Sequence, residues 1–184
     1  MDNTTLIIVL IGVVVLAGVA LYFVRRHAAI KQRFGPEYER AVLAAGNTVR
    51  ADAELAARAR RVGKYELRPL TPDEGARFSS AWQRLQSRFV DDPAGAVTEA
   101  DLLVTDLMAK RGYPMAEFER RAEDLSVDHS AVVNHYREAH TIVTRQTETR
   151  RPASTEDLRQ AVKHYRALFE DLLEVKDSDR RRAS

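Results

Sequence analysis

The chain has 184 residues, with 29 Lys and Arg against 27 Asp and Glu, a formal net charge of +2 and no cysteine, which excludes disulfides and thiolate chemistry. It carries no phosphate-binding loop, nucleophile elbow, zinc-protease signature or cysteine cluster. The isoelectric point near 9.0 does not signal nucleic-acid binding. Residues 25–33 contribute +4, residues 176–184 contribute +2 and Asp2 contributes −1, which leaves −3 for residues 34–175. A phosphate-binding face needs clustered Lys and Arg on the folded body, so nucleic acid is not an expected partner.

From Asn3 to Val24 no residue is charged, and residues 5–24 (TLIIVLIGVVVLAGVALYFV) form a mostly apolar run. As a helix this run is about 30 Å long, enough to cross a bilayer. A cleaved signal peptide wants a basic start and a shorter apolar core, whereas here Asp2 precedes the run and Arg25 and Arg26 follow it. Residues 5–24 therefore read as a retained transmembrane anchor, with residues 1–4 as a short extracytoplasmic N-terminus. Arg25, Arg26, Lys31 and Arg33 crowd one flank, which predicts a single-pass protein of the plasma (inner) membrane with its N-terminus outside and its C-terminal domain cytoplasmic. Tyr22 and Phe23 fall at expected headgroup depth, and these six residues are the candidate membrane-interface set. Gly12 and Gly18 are six apart and miss the four-residue spacing of a small-residue packing motif, so homo-oligomerisation is not determined.

Residues 25–35 read as a basic juxtamembrane stem, broken at Gly35, with Pro36 suited to the first turn of a new helix. Residues 36–62 are rich in Ala, Arg and Glu and poor in large apolar side chains, which predicts a long, largely exposed stalk helix with a weak point at Gly46 and Asn47. Residues 63–175 then form one helical domain. Tyr65–Leu70 is extended ahead of Pro69, and Thr71 and Glu74 form a capping-box pair. Phe78, Trp82, Leu85 and Phe89 share one face of the helix that follows. Asp92 and Pro93 open the next helix, whose stripe is Val97, Ala100, Val104, Leu107 and Met108, with Gly112 as its C-terminal cap residue.

Pro114 is expected to begin a shorter helix carrying Met115, Phe118, Ala122 and Leu125. A turn at Ser126–Ser130 leads into a helix from Asp128 with Val132, Val133, Tyr136, Ala139 and Val143 on one face. A polar loop from Arg145 precedes the last helix, where Leu158, Val162, Tyr165, Phe169 and Leu172 supply the stripe. Residues 176–184 have nothing to bury and read as a disordered basic tail that could touch anionic lipid. The fold class is all-α: an N-terminal transmembrane helix, a stalk helix, then an irregular bundle of four to five short amphipathic helices.

The densest stretch of chemistry is VNHYREAH, Val133 to His140. At 100° per residue His135 and His140 lie about 140° apart, and only His135 and Glu138 share a face. Two ligands do not make a metal site, and the sequence nominates no third, so no metal, cofactor or catalytic residue is assigned. The tripeptide His-Tyr-Arg occurs at His135–Arg137 and again at His164–Arg166, each time with the tyrosine inward and the cations flanking it. Asp91 and Asp92 point apart, and Asp92 suits a cap better than an acid/base pair.

The phrases RFGPEYERA, RFVDDP, RGYP and LSVDH, with the tail helix LRQAVKHYRALFEDLL, make the chain resemble a group of bacterial single-pass membrane proteins with a cytoplasmic all-helical domain of unknown function. The resemblance implies a tethered cytoplasmic helical domain and carries over no site residues. The expected function is a non-enzymatic, membrane-anchored helical module that docks a protein partner at the inner face of the membrane. The alternatives are an anionic-lipid or envelope-state sensor using the basic flank and tail, and a helical-bundle enzyme or metal binder near the His135 helix.

Overall fold

The computed structural model describes residues 3–149 and 153–173. The described residues are all-α, with helices α1 (Asn3–Phe34), α2 (Pro36–Ala45), α3 (Thr48–Val62), α4 (Pro72–Arg88), α5 (Pro93–Lys110), α6 (Phe118–Leu125), α7 (Val133–Thr149) and α8 (Thr155–Leu173). The expected tail at residues 176–184 and the first two residues of the expected N-terminal segment at 1–4 lie outside the described residues. The chain divides into two compact units, residues 1–57 and 58–184.

In the first unit the anchor and the basic stem are one continuous helix, 32 residues and about 48 Å long, because no Gly or Pro interrupts residues 19–34. Gly35, at φ 47°, ends α1 and lets Pro36 open α2. The expected weak point at Gly46 is a full break: Gly46 is left-handed at φ 76°, and Asn47 Oδ1 accepts from Arg50 N at 2.9 Å to start α3. The stalk is therefore two helices. The expectation of exposure holds for one face only, since Tyr38, Ala41, Ala51 and Leu55 are buried. His27 Nδ1 on α1 meets Asp52 Oδ2 on α3 at 2.8 Å, so α3 lies back beside the end of α1 rather than standing alone.

In the second unit, α4 to α8 enclose the core. Thr71 and Glu74 form the reciprocal capping box, and Asp92 Oδ1 accepts from Gly95 N at 2.9 Å to cap α5. The predicted stripes of α4 and α5 are buried apart from Phe89, which is half-buried. α5 ends in a Schellman motif: Tyr113 N donates to Met108 O at 3.1 Å, Gly112 N donates to Ala109 O at 3.0 Å, and Gly112 takes φ 94°. This arrangement turns Tyr113 into the core and leaves Pro114 in a non-helical run, so α6 begins at Phe118 and Met115 is exposed.

α7 also departs from expectation at both ends. Residues 126–132 stay in turns, so the helix begins at Val133 rather than Asp128. It continues through Thr149 because RQTET contains no breaker and the first proline is Pro152. Thr141 and Thr144 return their hydroxyls to the carbonyls of Arg137 and His140 at 2.8 and 2.9 Å. Ser154 and Asp157 cap α8 reciprocally. His129, in the turn just before α7, lies near Asp171, and His135 of α7 lies near His164, so α7 and α8 run in opposite directions as an antiparallel hairpin. Trp82 of α4 stacks on Phe169 of α8 with ring centroids 4.5 Å apart.

Candidate functional site

The first candidate surface is α1. Leu10–Phe34 is long and apolar enough to cross a membrane by length and composition, with a mean hydropathy of 1.6 in its best window, none of it buried. Leu10, Ile11, Val19 and Leu16 fall at roughly 0°, 100°, 180° and 240° around the helix axis, and all four are exposed. The apolar surface thus runs all the way round. Tyr22 and Phe23 are exposed, with their rings edge to face at 5.7 Å. Arg25, Arg26, Lys31 and Arg33 are exposed as well. On the same wheel they fall at roughly 60°, 160°, 300° and 140°, a collar rather than a stripe.

The second candidate lies on the α7–α8 hairpin. Tyr136 and Tyr165 are both fully buried and their rings meet at 6.4 Å. The histidine preceding each tyrosine is therefore carried to the same place on the hairpin surface. His135 Nδ1 and His164 Nδ1 stand 3.0 Å apart, with ring centroids at 5.1 Å. Glu138, one turn along α7 from His135, brings Oε2 to 3.2 Å from His164 Nδ1 and 3.7 Å from His135 Nδ1. Burial holds the His164 imidazole below its ordinary pKa, with Glu138 opposing and His135 reinforcing the shift.

The separation of His135 from His140 agrees with the helical wheel. His140 lies flat on Phe118, with centroids 3.5 Å apart, and burial lowers its pKa. His129 is engaged with Asp171. What the wheel of a single helix could not supply was His164, which comes from α8. The signal was the repeated His-Tyr-Arg: two inward tyrosines that pair across a hairpin bring their neighbouring histidines together. The flanking arginines differ, since Arg137 is buried while Arg166 is exposed and paired with Glu170 at 2.6 Å.

Under this surface both tyrosines are buried in the core. Tyr165 donates its hydroxyl to Asp101 Oδ1 of α5 at 2.8 Å. Burial pushes the Tyr136 hydroxyl up to about 12, with Asp101 adding to the rise and Arg121 and Thr105 opposing it. The Tyr165 hydroxyl stays protonated and, as a donor to Asp101, ties α8 to α5. Asp91 and Asp92 do not form an acid/base pair, because Asp92 is committed to the α5 cap and to Arg88 Nη2 at 2.7 Å.

Compared with protein families, curated proteins and solved structures, the chain has no match.

Proposed function

We propose that the protein is a membrane-anchored helical module: α1 crosses the plasma (inner) membrane once, the amino terminus lies outside, and the α4–α8 bundle is held in the cytoplasm to dock a protein partner at the membrane's inner face. The observation that carries the reading is the exposed, all-round apolar surface of α1 beside a collar of cations. A helix lying in the interfacial plane segregates an apolar and a charged face. A crossing helix is apolar around its circumference and carries its charges at one end, where Arg25, Arg26, Lys31 and Arg33 would meet anionic headgroups and hold that end inside.

The chain has no cysteine, so a single introduced thiol reports topology cleanly. In intact cells a membrane-impermeant maleimide should label Thr4→Cys and should reach Ser80→Cys only after permeabilisation. Labelling of Ser80→Cys in intact cells, or release of the protein by alkaline carbonate, would overturn the anchored topology. In-cell crosslinking of the anchored chain should recover a defined protein joined to residues of α4–α8. A bundle shaved from membranes that is monodisperse and retains no protein would overturn the docking role.

A further inference from the structure

Three electron-pair donors from two helices converge at the α7–α8 surface: His135 Nδ1, Glu138 Oε2 and His164 Nδ1, all within 4.8 Å of one another. Their separations are 3.0, 3.2 and 3.7 Å. Donors bound to one tetrahedral metal at about 2.0–2.1 Å stand about 3.3–3.4 Å apart, and the three observed distances straddle that edge length. The geometry points to a divalent transition-metal site of the zinc class, formed by His135, Glu138 and His164, that clamps α7 to α8.

The electrostatics agree with a cation. Two protonated imidazoles would set N–H against N–H at 3.0 Å, and a single shared proton satisfies the histidine pair without using the carboxylate. A dication satisfies all three donors together. The Glu138 carboxylate supplies negative charge to the set. Two imidazole nitrogens with one carboxylate oxygen suit zinc and its neighbours, whereas calcium and magnesium take oxygen ligands. The side chains of His135, His164 and Glu138 are 44%, 23% and 58% exposed, so solvent reaches the donors and a fourth position is open to water. The scaffold is rigid: the buried Tyr136 and Tyr165 neighbour the two histidines in sequence, and Tyr165 is pinned to Asp101.

The test uses the full chain in detergent, stripped with chelator, desalted and titrated with zinc(II) alone by calorimetry. One equivalent should bind and raise the Tm, and cobalt(II) in its place should show the visible d–d bands of a four-coordinate centre. Glu138→Gln alters an exposed side chain and cannot disturb the core. Both Glu138→Gln and His164→Gln should weaken zinc binding at least about ten-fold. His27→Gln, at the separate His27–Asp52 contact, should leave it unchanged. No binding at micromolar zinc, or binding that Glu138→Gln and His164→Gln both leave intact, overturns the site.

Discussion

Arg61 and Asp124, on α3 and α6, form an ion pair in which Nε and Nη2 reach Oδ1 at 2.8 and 2.7 Å, while the second carboxylate oxygen accepts from the Tyr65 hydroxyl at 2.8 Å. Asp124 is almost wholly buried. A buried carboxylate is tolerable only when its lone pairs are met, and here residues far away in sequence meet them. Asp124→Ala removes the acceptor of Tyr65 and leaves Arg61 only Glu123, at 3.2 Å, and should cost about 3 kcal/mol. The protein has one tryptophan, Trp82, buried in the core, so its fluorescence during denaturant unfolding of the detergent-solubilised chain measures the loss.

Gly112 and Gly75 should respond oppositely to alanine. Gly112 sits at φ 94°, and a Cβ there would lie 2.4 Å from the Glu66 carbonyl oxygen, a backbone atom that cannot swing aside. Gly112→Ala should cost about 2 kcal/mol or more. Gly75 is helical with open space where a Cβ would go, so Gly75→Ala should stabilise by about 0.5–1 kcal/mol. The same Trp82 transition should move to lower denaturant in the first and higher in the second.

Glu74 carries the clearest acid-side signature. The Arg68 guanidinium, foremost, and the Thr71 backbone N–H hold its carboxyl down to about 2 from an ordinary 4.5. A carboxyl depressed in the folded state contributes stability that is present above its unfolded pKa and lost as the pH falls through the folded one, here between about 4.5 and about 2. Carboxyl-detected NMR should place the Glu74 midpoint near the lower value. Arg68→Gln should return it toward 4.5, with the matching acid-dependent loss of stability diminished.

The Trp82–Phe169 stack joins α4 to α8, the first and last helices of the bundle. Phe169→Ala should cost about 3 kcal/mol through the cavity it leaves. It should also shift the emission of native Trp82 toward the red as water reaches the indole.

Much of this architecture is local and therefore written in short stretches of chain. The Thr71–Glu74 capping box, the Asp92–Pro93 start of α5, Gly112 at its end and the apolar stripes of α4, α5 and α8 each depend on residues within a few turns of one another. Boundaries were less legible where local rules compete. Pro114 has the chemistry of a helix start, but the Schellman turn before it sends Tyr113 into the core and delays α6 to Phe118. RQTET has the polarity of a loop, yet without a breaker it stays in α7. The segment after Gly35 reads as exposed by composition, and Leu43 and Val49 are exposed, but Tyr38 and Leu55 are buried on its other face.

The sequence by itself determined the all-α class, the apolar N-terminal helix with cations on one flank, and the inward turn of Tyr136 and Tyr165, because periodicity, capping and charge placement act within single helices. Only the tertiary structure decided that Asp124 receives Arg61 and that His164 joins His135 and Glu138, because both groupings depend on where separate helices are brought together. One helix wheel disperses the histidines of VNHYREAH; the antiparallel packing of α7 on α8 supplies the missing donor.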